Sequence, residues 1–264
     1  MGTNTGTTAI ENLRACYASL DGLLDGLDDD GWATQSLCPA WTVRGVVEHL
    51  GGIEHMLVGR STDSFTDTLP FGDAGAWVAD GVGLADGAFL DRYRATIAGR
   101  RADFDAMTAD DLAVPCMTPV GPGTYGRFME VRVFDFWVHE QDIRVPLGRA
   151  GHEGGPAAEM AIDEIHRSLP YIVGKKIGLP DGVSVTFELH GPVERAMHVV
   201  VDGRARLVDE APAADVTVRA DSTTFALLAC GRIDPQGAID TGQIGWSGSD
   251  EWGERSARNL AFTM

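Results

Sequence analysis

The hydrophobic period of this chain changes once, and the change divides the sequence. From residue 8 to about 178, apolar residues recur at three- and four-residue steps; after Pro180, Asp181 and Gly182 they alternate with polar ones. The first repeat buries one stripe of a helix and the second one face of a strand. Neither segment can take the other's structure without turning much of its apolar set to solvent. Helices first and strands later predict an α+β protein of two domains: a helical bundle over 1–178 and a small α+β domain over 179–264.

Within the helical part, Ile10, Leu13, Tyr17, Leu20, Leu24 and Leu27 mark a first amphipathic helix. A break over 31–41 carries Pro39, and Thr42 is a suitable N-cap for a second helix to about Gly59. Residues 61–81, rich in Thr, Asp and Gly, read as a long loop, and a third helix follows over about 84–107. Residues 115–126, dense in Pro and Gly, read as loop. A fourth helix covers about 127–145 and a fifth about 156–177, which Pro170 kinks or divides. Beyond Gly182, strands are expected at 183–189, 198–201, after Gly203, at 216–218 and at 244–246, with helices at 222–230 and 250–260.

Charge narrows the function classes. With 39 Asp and Glu against 21 Lys and Arg, the net charge is −18. Residues 1–150 hold 22 acids and 11 bases, and 151–264 hold 17 and 10, so no basic half is masked by the total. Such a field repels phosphate backbones and anionic bilayers, which argues against nucleic acid and membrane partners. No run of about 18 apolar residues would span a membrane, and the first residues lack the basic and apolar regions of a signal peptide. Cys16, Cys38, Cys116 and Cys230 are scattered and form no CxxC. The expected location is the cytoplasm, with reduced thiols. Oligomeric state is left open.

Two helices carry polar residues where apolar ones belong. His49 lies on or beside the stripe of Val46, Leu50, Ile53 and Leu57. Asp135, His139 and Asp142, spaced by four and three, share one face of the fourth helix with Val131 and Val138. Burying such groups unpaired costs several kcal/mol each, so they satisfy one another or bind something. Two readings follow. In one, His49, Asp135 and His139 form a hydrogen-bonded network in the bundle. In the other, two imidazoles and a carboxylate hold a divalent metal with positions left for water or substrate.

The segment Cys38-Pro39-Ala40-Trp41-Thr42-Val43 followed by His49-Leu50, and the segment from Val133 to Arg144, resemble the two signatures of the mycothiol-dependent maleylpyruvate isomerase family, a branch of the DinB-like four-helix-bundle metalloproteins. The stretches 245–248 and 259–263 resemble its C-terminal, sterol-carrier-like domain. The resemblance implies a DinB-like bundle followed by that domain. It also implies a divalent metal, usually zinc, with nickel or iron as alternatives, on His49, Asp135 and His139. Mycothiol would be the thiol cosubstrate and a small electrophile its partner. One departure stands out: the isomerase itself is expected to carry Glu where this chain has Asp135, one methylene shorter.

Metal coordination deprotonates a thiol, and the thiolate is the nucleophile. Adding to a conjugated alkene and leaving again, it isomerises cis to trans; displacing a leaving group, it conjugates. The implied activity is thus that of a mycothiol-dependent isomerase or S-transferase. A non-catalytic protein that binds a metal or a small ligand at a degenerate site is the alternative. Asp142 is expected to orient a ligand imidazole or to pair with an arginine. Arg144 and Arg132 are candidates to hold a substrate carboxylate. Cys38 reads as structural, His55 as facing elsewhere on its helix, and Trp41 and Trp137 as core or pocket wall.

Overall fold

The computed structural model describes residues 3–211 and 213–263. The chain forms two compact units, the first ending at Gly151 and the second beginning at His152.

The first unit is built on α1 (Thr3–Leu24), α3 (Val43–Leu57), α5 (Asp86–Ala106) and α7 (Tyr125–Arg144), joined by α2 (Asp29–Ala33), α4 (Phe71–Asp80) and α6 (Ala109–Ala113). Of these, α3 and α7 start where the sequence supplies a cap. Thr42 accepts from the Gly45 N–H and Thr124 from the Arg127 N–H, each in extended backbone, satisfying donors that the first turn leaves open. α1 packs along α7, where Tyr17 meets the edge of Phe136 at 5.0 Å and stacks with Phe104 at 6.2 Å.

Two expectations fail here. The 61–81 segment is not all loop, because α4 forms within it and buries Ala74 and Trp77. Gly51 and Gly52 of α3 let α4 approach: a Cβ at Gly51 would stand 2.5 Å from the Trp77 ring, and one at Gly52 3.0 Å from the Ala74 carbonyl. Tertiary packing overrides the weak local propensity of a Gly- and Asp-rich stretch. The 115–126 segment folds as a hairpin of β1 (Pro115–Thr118) and β2 (Gly121–Thr124), with Gly121 at φ 107° in the turn.

The second unit opens with α8 (Pro156–Tyr171) and holds one sheet ordered β5-β4-β3-β6-β7. Its strands are β3 (Ser184–His190), β4 (Arg195–Asp202), β5 (Arg204–Val208), β6 (Val216–Asp221) and β7 (Ile244–Gly248). Among the described residues, β3 and β6 pair in parallel and the other neighbours are antiparallel. Phe187 stands opposite Met197 on one side and Val218 on the other, and its ring lies 5.6 Å from Phe225. That buried face supports α9 (Ser222–Ala229), while α10 (Pro235–Asp240) and α11 (Asp250–Arg258) follow around β7.

The α+β class is therefore as the two hydrophobic periods predict. The division between units is not at 178: it precedes α8, which packs on β4, β5 and α9. Pro170 does not end α8. The backbone continues to Tyr171, widens into a π-helical turn at Ile172–Ile177 and stops at Gly178, whose φ of 68° favours glycine. No helix among the described residues is long and apolar enough to cross a membrane.

Candidate metal centre

α3 and α7 face each other and bring His49, Asp135 and His139 together. His49 Nε2 lies 3.4 Å from Asp135 Oδ2, and His139 Nε2 lies 3.6 Å from Asp135 Oδ1. The two imidazole rings are 4.9 Å apart, and the three donor atoms sit within 4.8 Å of one another. Two of the residues are one turn apart on α7, and the third comes from the stripe edge of α3, as their spacing predicts.

These contacts are longer than direct hydrogen bonds. His49 Nε2 is buried and has no hydrogen-bond partner among the described residues, even though the carboxylate is at ion-pair distance. In a tetrahedral shell with bonds of about 2.0–2.2 Å, neighbouring donors stand roughly 3.3–3.6 Å apart. Each imidazole nitrogen stands at that spacing from one oxygen of the carboxylate, Oδ2 for His49 and Oδ1 for His139. Two imidazole nitrogens and a carboxylate are a borderline donor set of the kind zinc, nickel and ferrous iron accept, so the residues present fit a divalent cation.

The surrounding residues hold this arrangement. Asp142, fully buried, lies with Oδ2 2.8 Å from His139 Nδ1, which leaves Nε2 of the same ring turned to Asp135. Cys38 donates to the same Asp142 oxygen at 3.1 Å, and its sulfur is 3.8 Å from His139 Nδ1. On the α3 side, the Trp41 ring stacks on His49 at 5.0 Å with 23° between planes.

Behind Asp135 runs a buried ionic chain. Arg132 pairs with Asp135 and donates to Glu54 Oε1 at 3.0 Å; Arg100 and Tyr17 both donate to Glu54 Oε2 at 2.8 Å. Burial alone would raise the Asp135 carboxyl. The Arg132 guanidinium, helped by His49 and His139, overrides it and holds the group well below the usual carboxylate range. Glu54 is also depressed: burial opposes ionisation, and Arg132 and Arg100 outweigh it. Asp135 is therefore an anion at any ordinary pH, as a ligand must be.

Arg144 does not join this cluster. Its guanidinium is bound to Glu140 at 2.6 Å, Ser19 at 3.0 Å and the Arg149 carbonyl at 3.1 Å, tying α7 to α1. Arg132 is equally occupied by two carboxylates. His55 is exposed and turned away toward Trp77, as its helical position predicts. Two residues of the site escape the sequence reading. Cys38 is read there as structural, yet it touches both Asp142 and His139. Glu54 goes unremarked, although a charge four residues after Leu50 and three before Leu57 sits on the core stripe of α3.

Beside His49 a pocket of about 370 Å³ opens between α3 and α4, walled by Trp41, Ile53, Phe71 and Val78.

A helical unit with a His/Asp/His cluster between two helices, followed by a mixed-sheet unit, defines a bundle protein with an appended α+β domain. The N-terminal domain of mycothiol maleylpyruvate isomerase matches residues 13–144, and the C-terminal domain of the same family matches 159–254. The chain belongs to the mycothiol-dependent maleylpyruvate isomerase family. Among solved structures, the mycothiol-dependent maleylpyruvate isomerase is similar, with TM-score 0.61 and 15% identity over 94% of this chain and 93% of that one. A mutant of it is similar with TM-score 0.61 and 14% identity over the same shares. At that identity the likeness is one of fold. No curated protein matches the chain.

Proposed function

We propose that this protein is a divalent-metal-dependent enzyme that uses mycothiol as cosubstrate and isomerises or S-conjugates a small electrophile. The observation that carries the reading is the pair of imidazole Nε2 atoms turned on the two oxygens of one ionised carboxylate at ligand-to-ligand spacing. His49, Asp135 and His139 would hold the cation, with zinc the first candidate. When bound, it would supply a thiolate at neutral pH, where a free thiol of pKa about 8.5 is mostly protonated.

The chain's own residues prepare that chemistry. Asp142 fixes the tautomer and orientation of His139 by accepting at Nδ1. Arg132 holds Asp135 ionised and aimed. Trp41 covers one face of the His49 ring. A thiolate placed there can add to one carbon of a conjugated alkene, leaving a single bond free to rotate. Expulsion of the sulfur then restores the alkene in the trans form. Where the electrophile carries a leaving group, that group departs instead and the thioether is the product. Asp142 acts as a positioning residue in either reaction.

Calorimetric titration of the zinc-loaded protein with mycothiol tests the reading. The expected result is saturable binding with proton release, because the thiol loses its proton on binding, and loss of that binding in His139→Ala. Absence of binding by the metal-loaded protein would overturn it.

A further inference from the structure

The pocket beside His49 has a composition that selects its occupant. Its wall is made by Trp41, Ile53, Phe71 and Val78, with Glu48 and His49 the titratable residues that line it. No arginine or lysine lines it, although the chain holds 21 of them. Arg44, on α3 one turn before the lining residue Glu48, is engaged by Glu48 at 3.0 Å, Asp86 at 2.5 Å and the Gly81 carbonyl at 3.2 Å, and lies over the Phe89 ring. Behind His49 the buried charges also cancel: Arg100 and Arg132 face Glu54 and Asp135.

A substrate that is a dicarboxylate needs a cationic anchor for each charge, as a rule an arginine fork. This pocket offers none. With Asp135 already balanced by Arg132, a divalent cation carrying a thiolate beside Asp142 would be neutralised and would leave no surplus positive field. The wall is instead largely apolar and partly open, with Phe71 52% exposed. Apolar surface left at a pocket mouth gains by covering an apolar ligand.

We propose that this pocket is the acceptor subsite and that it takes a neutral, apolar electrophile, such as an unsaturated ester or ketone, in preference to a dicarboxylate. The assignment rests on the functional reading above, because His49 belongs to both the pocket and the cluster.

Gly75 offers a probe. It lies on the pocket side of α4, and a Cβ there meets nothing within 4 Å. Gly75→Leu therefore adds an apolar side chain at the pocket wall, where its Cβ meets no neighbour. The zinc-loaded full chain is titrated with unreactive diethyl succinate and with succinate, binding being read by saturation-transfer NMR in wild type and in Gly75→Leu. The expected result is diester binding at least ten-fold tighter than succinate in wild type, and a ten-fold or greater loss of diester binding in the variant with zinc content unchanged. Succinate binding as tightly as the diester would overturn the proposal, and so would diester binding that the variant leaves intact. The wild-type comparison stands even if the variant misfolds. Turnover of diethyl maleate with mycothiol is measured in parallel. Diester binding without that turnover would remove the thiol-transfer reading and leave the subsite in place.

Discussion

Asp142 and Glu54 are the two residues on which the geometry of the centre most depends, and they act differently. Asp142 touches His139 directly, so Asp142→Asn replaces a charged acceptor by an amide and loosens the ring. Zinc affinity is expected to fall about 10–100-fold, measured by competition with a chelator of known affinity, while the circular dichroism spectrum stays unchanged. Unchanged affinity would remove Asp142 from the centre. Glu54 acts through stability. Removing its charge leaves Arg100 and Arg132 short of a buried partner, and Glu54→Gln is expected to cost about 3–5 kcal/mol in denaturant unfolding. The sign with pH follows from its depressed carboxyl. The stabilisation is complete above the unfolded pKa of about 4.3 and is lost as pH falls through the lower folded value. Wild-type stability should therefore drop steeply in acid, and Glu54→Gln should flatten that slope. His49, Asp135 and His139 are legible in the sequence because helical spacing alone places each on an inward face. Trp41, read as core or pocket wall, does line the pocket; the role of Cys38 is not legible, because its partners Asp142 and His139 arrive from α7 only once the chain has folded.

At the scale of elements, the pairing of α3 with α4 sets where His49 points. Gly51, two residues on, is pressed against the Trp77 ring with no room for a methyl group. Gly51→Ala should push the helices apart, costing about 1–3 kcal/mol and weakening zinc binding through displacement of His49. Equal thermal midpoints and equal zinc affinity would contradict that account. α4 itself is illegible locally, since its Gly and Asp residues argue for loop, and it exists by virtue of the Gly51–Gly52 surface it docks on. The hairpin of β1 and β2 hides for a related reason: its strands are four residues each, too short for alternation to register. α3 and α7, by contrast, are announced by Thr42 and by the long apolar repeat, and the α7 cap at Thr124 falls within three residues of the expected start.

Across the whole molecule, the change of hydrophobic period identifies two kinds of structure but misplaces the boundary between them. α8 has the same amphipathic period as the bundle helices, and periodicity says which face is buried without saying against what. Its partner is the sheet, so the second unit begins at His152. The acidic surplus belongs to both units, so the His49, Asp135 and His139 cluster, in the first, is a local feature rather than a product of net charge. The most direct measurement is the metal content of the full chain, purified without chelators and analysed by elemental mass spectrometry. The account predicts close to one zinc, nickel or iron per chain, and its loss in a chain carrying both His49→Ala and His139→Ala. Wild-type protein that stays metal-free after incubation with these ions, or a double variant that keeps its metal, would contradict it.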